Sequence, residues 1–348
     1  MTGASPMRGA VAGPTRREVP GPVRAAAAPM PGLTPAPAPA GPPAPAAASS
    51  ASGNIYDLGY RRYEGPRLGR RHAVRALYLY SLRGTFGLGR SGRAKVAPFG
   101  FASLALLPAV IAVGIAALAS QAGAVGGPAG SLDPIRYATY LAFSSTVLML
   151  FCAAQAPELV GRDQRYSVLP LYFSRALRRS DYAFAKLGAI WTALALVFLT
   201  PELLIFAGRV LASKDIPAAL GANLPYLPPV IGVTAIIALT LGSISLGLAS
   251  FTPRRAYATA SIIAAFIVPP IVASIVAQLA NGPVASVAAV LDPADLLDGA
   301  NAWFFGTSTS NDVLAAAGMP HASYVPLLAL WIVVSVGATI RRYARIPA

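Results

Sequence analysis

The chain has 348 residues, of which 55% are hydrophobic and 12% charged, with a mean hydropathy of +0.58. A soluble domain carries about 25% charge, so this composition excludes an ordinary soluble protein and places most of the chain in lipid. The net charge of +15 does not indicate a nucleic-acid partner, because the basic residues stand in blocks between apolar runs, as they do in loops that flank membrane spans.

Residues 1–52 are low in complexity, as in Pro35-Ala36-Pro37-Ala38-Pro39, and hold no aromatic residue. Such a segment cannot bury enough apolar surface to offset its ordering entropy, and a disordered tail is expected. Its longest alanine run, residues 25–28, is too short for the apolar core of a signal peptide. Residues 53–97 are basic and rich in tyrosine, with a turn signal at Gly65-Pro66. Within them Val74, Leu77, Tyr78, Leu82 and Phe86 recur at helical steps, while Arg71, Arg75 and Arg83 fall on other faces. Arg71, Arg75, Leu77, Tyr78, Leu82 and Arg83 therefore predict an amphipathic helix in the membrane interface, its arginines near anionic headgroups. The competing reading is a helix packed on a soluble partner.

Six apolar runs follow, at 98–120, 137–156, 187–208, 228–251, 257–280 and 323–340. As helices they reach about 27–36 Å, enough for a hydrocarbon core of about 30 Å. Lipid-facing backbone must be satisfied internally, so the expected fold is an all-α polytopic membrane protein with six transmembrane helices over residues 98–345. Counting Lys and Arg from residue 55 puts 21 on the side of the first segment and three on the other, which predicts cytoplasmic N- and C-termini. Residues 157–186 then form a charged cytoplasmic loop. Residues 281–322 form the longest external segment. Its apolar stretches, 284–291 and Trp303-Phe304-Phe305, are too short to span and suit re-entrant or interfacial helices.

Gly87-Leu88-Gly89-Arg90-Ser91-Gly92 matches a dinucleotide-binding glycine pattern, but that pattern binds a pyrophosphate only between a strand and a helix. Arg93 and Ala94 stand where a phosphate-binding loop needs Lys and Ser or Thr, so no ATPase site is legible in this chain. His72 and His321 are far apart, and no catalytic, cofactor or metal constellation is visible. Asp292, Asp295 and Asp298 could in principle hold a cation, but Asp292-Pro293 reads as a helix cap with proline at the first helical position. Cys152, the only cysteine, allows no internal disulfide. Glu202 lies inside the third run, where an ionisable residue is costly and can be functional; a structural pair with Arg209 is the alternative. Glu158, Arg162, Asp163, Arg165 and Tyr166 mix charges at helical spacing in the cytoplasmic loop and are candidates for docking a cytoplasmic partner.

Two segments resemble the permease subunits of ABC-2-type transporters, particularly those of actinobacteria. One is Tyr56-Asp57-Leu58-Gly59-Tyr60-Arg61-Arg62-Tyr63-Glu64-Gly65-Pro66-Arg67-Leu68-Gly69-Arg70. The other runs from Gln155-Ala156-Pro157-Glu158-Leu159-Val160 through Leu169-Pro170-Leu171-Tyr172-Phe173-Ser174-Arg175 to Arg178-Arg179-Ser180-Asp181-Tyr182. The 25 arginines against three lysines, with abundant Ala, Gly and Pro, also point to a GC-rich bacterial genome. The resemblance implies six spans, a cytoplasmic amphipathic helix before the first, short external helices between the fifth and sixth, and a second-to-third loop that contacts a separate ATPase. It further implies an exporter in the bacterial plasma membrane whose ATP is bound by that ATPase subunit. The implied partners are the ATPase, a second permease subunit (identical or not) and membrane lipids. Two rival classes are an ion-coupled secondary transporter and a membrane-embedded lipid-modifying enzyme.

Overall fold

The computed structural model describes residues 65, 68–121, 137–174, 177–309 and 311–346. The Pro/Ala-rich tail, residues 56–64, 66 and 67 of the first motif, and Arg136 and Arg175 lie outside them. The described chain begins with α1 (Gly69–Thr85), then α2 (Gly92–Gln121), α3 (Tyr137–Arg165), the five-residue α4 (Leu169–Phe173) and α5 (Arg179–Leu211). It continues through α6 (Ile216–Asn223), α7 (Leu227–Ser250), α8 (Arg255–Leu279), α9 (Pro283–Leu291), α10 (Pro293–Phe305), α11 (Asp312–Ala317) and α12 (Tyr324–Ala344). The protein is all-α among the described residues. Six helical segments, containing α2, α3, α5, α7, α8 and α12, are long and apolar enough to cross a membrane.

Several helices overrun their apolar runs at one end. α2 starts at Gly92, α3 continues to Arg165 and α5 starts at Arg179, so most of 157–186 is helical. Apolarity marks where lipid would be, whereas the helical hydrogen-bond ladder persists wherever charged side chains find partners. α3 even passes through Pro157. Proline has no N–H to give the carbonyl four residues back, and that carbonyl, of Ala153, instead accepts the Thr259 hydroxyl at 3.1 Å. At the head of α5, the Asp181 carboxylate accepts the Arg178 N–H at 3.0 Å.

α7 is the centre of the bundle. In its span 72% of the most apolar stretch is buried, against 17% in α2, α8 and α12. Small residues permit this, as close helix approach in membranes requires. A Cβ on Gly242 would stand 2.7 Å from the Trp191 ring of α5, whose indole N–H donates to the Ser243 hydroxyl at 3.1 Å. α2 and α8 leave broad apolar faces uncovered, including Leu107, Val110 and Ile111 on one and Ile267, Ile271 and Ile275 on the other.

The helix ends sort into two groups. At one end, Gln164 of α3 donates to the Ser250 carbonyl of α7 at 2.9 Å, and Arg255 of α8 pairs with Glu158 of α3 at 2.6 Å. The Tyr182 ring of α5 lies 4.9 Å from that of Tyr343 in α12. At the other end, the Tyr137 hydroxyl donates to Asn223 at 3.1 Å and the Asn301 amide donates to the Ala138 carbonyl at 2.6 Å. All described Lys and Arg residues belong to the first end except Arg209 and Lys214. α1 and the end of α12 lie at this basic end.

α9, α10 and α11 pack at the opposite end. Asp292 caps α10, accepting the Ala294 N–H at 2.8 Å with Pro293 next in the helix. Asp295 accepts the Asn311 amide at 2.7 Å, and Asp298 accepts the Thr309 hydroxyl at 2.8 Å. Asp295 and Asp298 thus stitch α10 to the segment leading into α11 while Asp292 caps α10 itself, and no group of potential metal ligands occurs among the described residues. Burial, with Asp295 beside it, pushes the Asp292 carboxyl up to about 7. α9 turns Val284, Val287 and Leu291 outward, and its Val290 carbonyl accepts the Trp331 indole N–H of α12 at 2.9 Å.

Candidate functional site

The candidate docking residues converge where α1, the end of α3, α4 and the start of α5 meet. All but Arg165 border a cavity of about 480 Å³ whose lining includes Tyr80, Arg90, Glu158, Arg162, Asp163, Tyr166, Tyr172 and Lys186. Their side chains divide by role. Glu158 faces inward, held by Arg90 at 3.2 Å and Arg255 at 2.6 Å, so one carboxylate ties the α1–α2 turn, α3 and the head of α8. Asp163 pairs with Lys186 at 2.8 Å and accepts the Tyr182 hydroxyl at 2.8 Å. The Lys186 ammonium also donates to the Leu159 carbonyl at 2.9 Å, and its side chain is only 3% exposed.

What faces outward is the other half of the set. Arg162 and Arg165 are exposed, and Tyr166 is 68% and Leu171 66% exposed. The chain reverses here because α3 ends in a left-handed residue, Ser167 at φ +51°, and the Val168 N–H bonds back to the Asp163 carbonyl at 3.1 Å. Charge is therefore spent inside, on joining helix ends, while an aromatic and a leucine form the tip between arginines. Breaking an ion pair around a buried charge is costly, so the Asp163–Lys186 pair holds the ends of α3 and α5 together.

Lys186, Gln164, Tyr182, Tyr343, Arg90 and Arg255 belong to this network and were not singled out from the sequence. Lys186 carried a signal, as a lone lysine at the start of an apolar run. The aromatic and arginine partners come from distant segments, and no local pattern marks them.

α1 places Leu77 in a buried cluster with Tyr182 and Ala185, with Tyr78 and Leu82 half-buried. The Tyr78 hydroxyl lies 2.9 Å from that of Thr192 in α5. Arg71, Arg75 and Arg83 are exposed, but so are Leu79 and Tyr80. The apolar side of α1 is thus used mainly on α5. Arg70 clamps the same helix pair through two 2.6 Å hydrogen bonds to Asp181.

The glycine-rich stretch is the turn between α1 and α2, preceded by a helix where a dinucleotide fold needs a strand. Gly87 has φ +66°, and a Cβ there would fall 2.5 Å from the Ala94 carbonyl oxygen. The glycines serve chain reversal. Glu202 is 1% exposed in α5, with its Oε2 lacking a hydrogen-bond partner among the described residues. Arg209, further along α5, places its guanidinium 4.8 Å from the Tyr137 ring. No protein-family model matches the chain, and no curated protein is significantly similar to it.

Proposed function

We propose that this chain is the membrane subunit of an ATP-driven exporter of the ABC-2 type. A separate ATPase docks on the Tyr166–Leu171 tip, and a second permease half packs against the apolar faces left by α2 and α8. One observation carries the reading: the tip is joined through Asp163–Lys186 and Glu158–Arg255 to the ends of α3, α5 and α8, so a contact at one small surface can move several spans. The two sequence motifs supply the transporter class. ATP is bound by the partner, and no cofactor is assigned to this chain.

The excess of arginine at the basic end supports placing that end in the cytoplasm of a bacterial cell. Arg254 and Arg345 are exposed there, and Ser308 is exposed at the opposite end. Asn301, also at that end, is only 4% exposed and would be a poor reporter. Cys152 is buried. In intact cells an impermeant thiol reagent is expected to label Ser308→Cys and to spare Arg254→Cys and Arg345→Cys until the membrane is broken. External labelling at position 254 would reverse the orientation.

In inverted vesicles, ATP hydrolysis associated with this chain is expected to disappear when the partner ATPase is removed. A second reading, ion-coupled transport, has Glu202 in its favour as a buried carboxyl with an unpartnered oxygen. Transport that persists without ATP and stops in Glu202→Gln would select it.

A further inference from the structure

Arg71 and Arg75 stand one turn apart on α1 and line an open groove of about 890 Å³ between α1 and α5. Their neighbour Arg70 is engaged by Asp181. Arg71 and Arg75 have no carboxylate at ion-pair distance among the described residues. Two guanidinium groups at this spacing repel each other unless an anion lies between them. The α5 wall carries Asp181, neutralised by Arg70, and beyond it is apolar: Phe184 is 50% exposed, and Val74 and Tyr78 make the floor. The groove opens at the basic end, where the spans begin and end.

We propose that the groove is a discrete site for one anionic phospholipid, its phosphate held between Arg71 and Arg75 and an acyl chain lying along Phe184. Arginine suits the task because its planar fork donates two parallel hydrogen bonds to a phosphate. A free phosphate would satisfy the guanidinium groups but leave the aromatic wall in water; a lipid answers both. Lipid here would wedge α1 against α5 beside the Arg70–Asp181 clamp and so steady the helix pair that supports the candidate docking tip. The inference does not depend on the transport reading.

The full-length protein in detergent can be titrated with dioleoyl phosphatidylglycerol, with dioleoyl phosphatidylcholine, or with inorganic phosphate, counting retained lipid by native mass spectrometry. Phosphatidylglycerol is expected to bind about tenfold or more tighter than phosphatidylcholine, as two interfacial arginines allow. Arg71→Gln/Arg75→Gln is expected to abolish that preference and Arg83→Gln, elsewhere on α1, to keep it. Arg71→Gln alone is expected to lower the preference by about threefold or more and serves if the Gln pair does not give monodisperse protein. Unchanged preference in the arginine pair or in Arg71→Gln would overturn the site. Displacement of the lipid by equimolar inorganic phosphate would overturn its assignment to lipid.

Discussion

Lys186→Ala is expected to destabilise the protein by about 3–5 kcal/mol, the cost of leaving a buried charge without its partner. The Lys186 side chain is 3% and that of Asp163 15% exposed, and the two are 2.8 Å apart. Removing the ammonium strips Asp163 of its counter-charge and leaves the Leu159 carbonyl without its added donor. The stem of Lys186 also lies against Tyr182, with its ammonium 5.3 Å from the ring, so truncation opens a void as well. Lys186→Met/Asp163→Asn is expected to recover most of the loss. Methionine refills the volume, asparagine still accepts the Tyr182 hydroxyl, and an uncharged pair has no desolvation cost to offset. The midpoint of unfolding in detergent, read from the three tryptophans, measures both. A loss below about 1 kcal/mol for Lys186→Ala would place the pair with ordinary surface ion pairs and remove the rigid joint from the account.

The second large effect concerns the tip. Tyr166→Asp/Leu171→Asp is expected to weaken ATPase docking by about thirtyfold or more, because exposed aromatic and apolar anchors carry most of the energy of such contacts. At 68% and 66% exposure neither side chain supports the fold, so expression, membrane insertion and thermal stability should match the parent protein. Glu158→Ala and an Asp163→Lys/Arg165→Glu exchange act differently. The first cuts two internal pairs, with Arg90 and Arg255, and the second breaks the bond to Lys186. Both should lower stability together with activity, whereas the tip variant lowers ATP hydrolysis alone. A tip variant with full hydrolysis and full ATPase retention would move the contact elsewhere on the basic end.

The spans were legible in the sequence because apolar residues recur over a bilayer's length and arginines punctuate them. Their true ends were not, since α3 runs through Pro157 to Arg165. A proline inside a charged stretch reads as a stop, and only the distant Thr259 hydroxyl, 3.1 Å from the freed carbonyl, makes it tolerable. The cap at Asp292 was legible because Asp-Pro is a local signal. For the candidate site, the residue set around Glu158–Tyr166 could be read from its mixed charges, but not which members face inward. That division depends on Arg90, Lys186 and Arg255, which lie on other elements. Helical periodicity placed Leu77, Tyr78 and Leu82 apart from the arginines on α1. It could not say that α5 would cover the apolar side.

The central claim, that a nucleotide-hydrolysing partner docks on the Tyr166–Leu171 tip, is tested most directly by photo-crosslinking. A photoreactive amino acid is placed at position 166, and at position 308 as the opposite-end control, in the full chain expressed in its own membrane. The linked protein is then identified by mass spectrometry. The account predicts that position 166 links to a soluble subunit bearing the G-x-x-x-x-G-K-[ST] phosphate loop, and that position 308 does not. Absence of any such protein at 166, in cells where the chain is inserted and stable, would contradict it.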